Sequence, residues 1–196
     1  MRFVIYGAGG IGGTIGARLF QHGHDVLLIA RGAHLAAIKE RGLRFVSATI
    51  DERLPIPAVA HPREANLDEY DIVILCMKSQ HTESALRDLI QSSPSNTPVV
   101  CCQNGVANER MALRRFANVY GMVVLLPAEH LEPGEVVNFA EDSAGVLDAG
   151  RYPNSVDVMI GEVTAALNNS GFSAIADPNI MRQKYAKLLN NLNNAV

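Results

Sequence analysis

Residues 2–12 read Arg2-Phe3-Val4-Ile5-Tyr6-Gly7-Ala8-Gly9-Gly10-Ile11-Gly12, an apolar run that ends in a glycine cluster. Residues 2–6, four of them β-branched or aromatic, read as a short strand that stops at Gly7, and residues 10–21 take helical spacing up to a stop at Gly23. Glycines spaced Gly7-x-Gly9-x-x-Gly12 between a strand and a helix have a physical reading. The first permits a tight turn, the second lets backbone approach a pyrophosphate, and the third lets helix and strand pack closely, while the opening helix offers unpaired N–H groups to the anion. Gly7, Ala8, Gly9, Gly10, Ile11 and Gly12 are therefore the expected dinucleotide-binding loop, and a purely structural glycine turn is the alternative.

Working outward, residues 25–30 form a continuous apolar run suited to a strand buried on both faces, and residues 34–41 a helix stopped by Gly42. Residues 43–48 and 54–60 alternate enough to pair as strands, with Pro55 and Pro57 favouring an edge. The rhythm continues through strands at 71–76 and 98–102 and helices at 82–91 and 107–116. Shorter strands follow at 121–126, 135–139 and 145–148, then an amphipathic helix at 155–168 stopped by Gly171. Such alternation predicts an α/β protein with a Rossmann-type, doubly wound, mostly parallel sheet. Asp177 can cap a last helix with Pro178 at its first position, and the pattern then runs to Val196 without a stop. Met181, Tyr185, Leu188, Leu189 and Leu192 lie on one side of it and need a partner surface. The expected organisation is a nucleotide-binding domain over 1–176 and, over 177–196, the first helix of a truncated all-helical domain.

Of the 196 residues, 17 are basic and 20 acidic, a net charge of −3 that lacks the positive footprint nucleic acid or an anionic membrane requires. No apolar run reaches the roughly 18 residues of a membrane span, and the N-terminus lacks the zones of a signal peptide, so a cytoplasmic protein is expected. Cys76, Cys101 and Cys102 form no CxxC pair, and none of the six histidines has metal-ligand spacing with a carboxylate or thiolate. Neither a disulfide framework, a metal site nor a covalent mechanism is expected.

Candidate chemistry gathers at strand ends, where open α/β sheets bind ligands. About 20 residues past the glycines stands Leu28-Ile29-Ala30-Arg31, with no acid to accept from a ribose 2′-hydroxyl, and Arg31 favours the 2′-phosphate of NADP(H) unless it is a solvated loop cation. Lys78 follows one strand and could bear on a phosphate or a substrate carboxylate. Asn104 follows another and could hydrogen-bond the cofactor or substrate, although Asn104-Gly105 also suits a simple turn. Lys187 and Asn191 stand four apart on one helical face. An ammonium beside an amide suits protonation of a carbonyl oxygen, and a merely solvated Lys/Asn-rich face is the alternative.

Together, the glycine loop, Arg31, Met77-Lys78, Gln103-Asn104-Gly105 and the stretch Lys184-Tyr185-Ala186-Lys187-Leu188-Leu189-Asn190-Asn191 resemble the ketopantoate reductase (2-dehydropantoate 2-reductase) family over essentially the whole chain. The resemblance implies an NADPH-binding domain followed by an all-helical domain, with reduction of ketopantoate or a related small-molecule 2-keto acid in the cleft between them. It makes Lys187 the general acid, Asn191 and Asn104 groups that orient substrate and cofactor, and Arg31 and Lys78 basic residues near the 2′-phosphate side. Lys184 is a second candidate lysine that fits the pattern less well. The family's remaining substrate-binding serine and acidic residues would lie in the helical domain, beyond this chain. A homodimer stays open, as do two alternatives: another Rossmann dehydrogenase acting on a sugar or hydroxy acid, and a non-catalytic NADP(H)-sensing module.

Overall fold

A computed structural model describes residues 1–141 and 143–193. In chain order the strands are β1 (Arg2–Tyr6), β2 (Asp25–Ile29), β3 (Leu43–Val46), β4 (Asp51–Leu54), β5 (Ala58–Val59), β6 (Asp71–Leu75), β7 (Val99–Cys101), β8 (Val119–Met122), β9 (Ala128–Glu129), β10 (Glu135–Asn138) and β11 (Ala149–Arg151). The helices are α1 (Gly10–Gln21), α2 (Gly32–Arg41), α3 (Thr82–Ile90), α4 (Asn108–Leu113), α5 (Val158–Asn169) and α6 (Ile180–Asn193). The last three residues of the expected final helix, 194–196, lie outside the described residues.

Apolar runs without polar interruption must be covered on both faces, and they form the main sheet, ordered β11-β8-β7-β6-β1-β2-β5. Its first six strands in space from β5 to β8 run parallel, and β11 closes the far edge antiparallel to β8. Side chains alternate across it. Phe3 and Ile5 enter a core shared with Ile15 and Leu19 of α1 and Ile160, Val163 and Leu167 of α5. Val4 enters the opposite core with Leu86 and Leu89 of α3 and with Phe116. Helices on both faces make the sheet doubly wound, and strand order reverses at β1, between β2 and β6.

The expected pairing of residues 43–48 with 54–60 is corrected. β3 pairs antiparallel with β4, while β5 leaves that hairpin and joins β2 at the edge of the main sheet, where Pro55 and Pro57 cost no ladder bonds. β3 and β4 belong to a second sheet, β4-β3-β10-β9, in which β10 runs parallel to β3. Leu43, Phe45 and Val136 of this sheet are fully buried or nearly so in the core containing α1. The short strand expected at 145–148 sits slightly later as β11, preceded by a single bridge between Leu125 and Val146.

The last helix also differs from its pattern. Asp177 caps the turn that enters α6, accepting from the Asn179 amide at 2.7 Å and from Gln183 at 2.6 Å. Ile180 and Lys184 face inward, and Tyr185, Leu189 and Leu192 are exposed. The helix therefore turns a cation toward the sheet and much of its apolar side outward.

Candidate active site

The glycine loop bridges the end of β1 and the start of α1. Gly7 has φ +103°, a backbone shape that L side chains rarely adopt. A Cβ on Gly12 would come within 2.1 Å of the Gly7 carbonyl oxygen, so only hydrogen lets α1 pack on β1. By contrast, a Cβ on Gly9 would meet no protein atom within 4 Å. Gly9 is also the N-cap of α1, and no side chain caps its first turn. Open space thus faces the positive end of a helix dipole with unpaired N–H donors, a geometry suited to an anion.

The loop is held from below. His34 is buried on α2, its Nε2 lies 2.7 Å from the Ala8 carbonyl oxygen, and the Gly134 amide donates to its Nδ1 at 2.9 Å. An amide can only donate, so Nδ1 accepts and Nε2 carries the proton. Burial pushes the His34 pKa below the ordinary histidine value, the bond to Ala8 opposing and neighbouring His130 adding to the shift. The His130 ring sits 4.0 Å from it, centroid to centroid.

Two cavities open beside the loop. The first, of about 230 Å³, is lined by Tyr6, Gly9, Arg31, His34, His81 and Asp88. Burial pushes the Tyr6 phenol up to about 12, with Asp88 adding to the shift and Arg31 opposing it, so both charges act on this cavity. The second, of about 480 Å³, lies past the ends of β6 and β7 and is lined by Ile11, Cys76, Lys78, Cys102, Asn104 and Lys187. Arg31 and Lys78, expected on one side of a cofactor, face different cavities. Asn191 lines a narrow crevice with Asn104 and Lys187 next to the larger cavity. The structure therefore brings Lys187, Asn191, Asn104 and Lys78 together at the strand ends, with Ile11 of the glycine loop on the same wall.

Lys187 Nζ donates to the Asn104 side-chain oxygen at 2.8 Å and to the Val124 carbonyl. Burial lowers its pKa below the ordinary lysine value; Cys102 opposes the shift and the charge of Lys184 adds to it. A lysine so placed gives up a proton more readily than one in water. The hydrogen bond to Cys102 and then burial push the nearby Cys76 thiol well above the usual thiol range, which disfavours its thiolate.

Sequence reasoning missed what holds Asn104. The Ser79 hydroxyl and the Asn108 amide donate to its backbone oxygen at 3.1 Å and 3.2 Å. Buried Asn108 accepts from Thr82, and Thr82 accepts from Gln103, which closes a polar chain across three elements. Polar residues placed at helix starts, Thr82 and Asn108, were the available signal. Lys184 proves buried, 2.5 Å from the carboxylate of Glu109, a residue unremarkable in sequence.

The description "Ketopantoate reductase PanE/ApbA" belongs to the family model that matches residues 3–153. The chain belongs to the ketopantoate reductase family. It is 32% identical over 194 residues to the 2-dehydropantoate 2-reductase of Pyrococcus horikoshii, a match covering 97% of this chain and 61% of that protein. The 2-dehydropantoate 2-reductase of Archaeoglobus fulgidus is 31% identical, with 97% and 60% covered. Among solved structures, a PanE/ApbA family ketopantoate reductase from Ralstonia eutropha superposes with a TM-score of 0.84 at 28% identity, covering 97% of this chain and 61% of the other. A D-mandelate dehydrogenase solved with NADH and anilino(oxo)acetate superposes with a TM-score of 0.85 at 27% identity, with 95% and 60% covered. The chain spans about 61% of the length of the first curated relative it matches. The relatives in this family are oxidoreductases, and no helix among the described residues is long and apolar enough to cross a membrane.

Proposed function

We propose that the protein takes part in NADPH-dependent reduction of the keto group of ketopantoate or a related 2-keto acid. The observation that carries this reading is the placement of the Lys187 ammonium, 2.8 Å from Asn104, on the wall of the cavity that Ile11 of the glycine loop also lines. The residues present fit a dinucleotide: Gly9 leaves open the space before the uncapped N-terminus of α1, and a cavity lies on either side of the loop. A bound reduced nicotinamide supplies the two electrons and the hydrogen that add to the keto carbon. Lys187 would donate its proton to the keto oxygen, and Asn104 would hold that ammonium in line. Lys78 and Asn191, on the same cavity and its adjoining crevice, would bear on the substrate carboxylate and hydroxyl or on the cofactor amide.

Arg31, exposed at the N-cap of α2 and lining the smaller cavity, supports NADP(H) over NAD(H), because its guanidinium suits a 2′-phosphate. The division of the chain at residue 176, with α6 as the first helix of a helical substrate-binding part, belongs to the same proposal. Calorimetric titration of the folded chain tests it. NADPH should bind more tightly than NADH, and Arg31→Ala should weaken NADPH about 10- to 100-fold, the effect of about 1.5–3 kcal/mol for a hydrogen bond to a charged group. Absence of binding by either nucleotide to a folded sample would sink the reading. Equal affinity for both nucleotides, unchanged in Arg31→Ala, would remove the NADP(H) preference alone.

A further inference from the structure

Lys184 sits one turn before Lys187 on α6 and is buried, 4% exposed. Its Nζ donates to the carbonyl oxygens of Cys101 at 3.2 Å, Gln103 at 3.0 Å and Met122 at 3.2 Å, and lies 2.5 Å from Glu109 Oε1. Glu109, on α4, is completely buried, and neither of its carboxylate oxygens has a hydrogen-bond partner among the described residues, so Oε1 meets Lys184 as an ion pair. The three carbonyls belong to the ends of β7 and β8, the ends that carry Asn104 and Val124, the two partners of Lys187. An ammonium has three N–H bonds to give, and all three are in use. Lys184 therefore has no proton aimed at the cavity.

We propose that Lys184, held by Glu109, is a positioning residue for the reductase site, pinning α6 to the ends of β7 and β8 so that Lys187 meets Asn104 and placing a fixed positive charge beside it. The proposal rests on the reading of Lys187 given above. Its physical basis is that like charges on neighbouring turns disfavour each other's charged forms, and that Lys184 is buried and Lys187 half-buried, which weakens screening by water. Lowering of the Lys187 pKa, by burial first and with Lys184 contributing against Cys102, agrees with this. The groups facing Lys187 are few. Cys76, Lys78 and Cys102 line its cavity from the ends of β6 and β7, Asn104 and the Val124 carbonyl are uncharged, and Glu109 stands behind Lys184 from α4.

NMR titration of lysine Cε in ¹³C-labelled chain, with Lys187 assigned by Lys187→Arg, reads the effect without substrate. Glu109→Gln, which leaves the Lys184 charge without its counter-charge, should move the Lys187 midpoint down. The double variant Lys184→Met/Glu109→Gln, which avoids stranding a buried carboxylate, should move it up by about 1 pH unit. Lys184→Arg, which keeps the charge, should stay close to the parent protein. An unchanged Lys187 midpoint in a double variant whose amide spectrum is native overturns the proposal. Where reductase activity is measurable, the double variant should also lower kcat for keto-acid reduction while leaving the KM for NADPH near its parent value. If every form lacks reductase activity yet the midpoints move as stated, the functional reading fails and the positioning role stands as structural electrostatics.

Discussion

Lys187 has two oxygen neighbours, the Asn104 side chain and the Val124 carbonyl, and both hold its ammonium on the wall of the larger cavity. Under the proposed reading, Lys187→Ala removes the proton donor and should lower keto-acid turnover by about 10²- to 10⁴-fold, the range for one general acid. NADPH affinity measured by calorimetry should change little, because the nucleotide loop lies on other elements; a comparable loss of affinity would make Lys187 a binding group instead. Lys187, Asn191 and Asn104 could be singled out in sequence only through the family resemblance, because a Lys/Asn-rich helical face and an Asn-Gly turn read equally well as solvated surface. The Lys184–Glu109 pair was not, since a glutamate at a helix start reads as solvated charge until the fold shows it completely buried. Asn108, Thr82 and Gln103 stayed hidden for a related reason. Their bonds join residues 21 and 26 positions apart, a separation that local pattern does not encode.

Among the elements, α6 departs most from its sequence pattern. Apolar residues at helical spacing predict a buried stripe, yet Leu189 is 64% exposed, while Ile180 at the other end is fully buried. Thermal or denaturant unfolding should therefore show Ile180→Ala costing about 2–5 kcal/mol and Leu189→Ala within about 0.5 kcal/mol. Equal costs would mean that Leu189 packs on something in solution. The parallel strands were readable because Phe3–Ile5, Val26–Ile29 and Ile72–Leu75 are unbroken apolar runs, which need cover on two faces. The second sheet was not: β9 has two residues and β4 is largely exposed, so neither carries a period, and only pairing with β10 and β3 defines them. β5 was misassigned because its two residues can extend a hairpin or join β2 equally well, and the choice is made by the ladder at Leu28 and Ile29.

At the scale of the whole molecule, α1 lies between the two sheets, and His34 ties the glycine loop at Ala8 to Gly134 just before β10. Folding lowers the His34 pKa, so the unfolded chain takes up a proton that the folded chain refuses, and stability should fall as pH drops below the unfolded value of about 6.5. His24, lowered by burial and then by His22, acts in the same direction. Melting temperature followed from pH 7.5 to 5 should decline, and His34→Gln should flatten the decline; an identical slope in the variant would assign it elsewhere. The carbonyl cage at the other end of the cleft has a consequence of a different kind. Of the chain's four lysines, Lys39 and Lys78 stand exposed to any acylating or carbonyl-condensing compound. Lys184 has no spare N–H and is only 4% exposed, at the bottom of the crevice it shares with Lys187, so its amine should stay far less reactive toward a stray acyl donor or aldehyde for as long as α6 stays on the sheet.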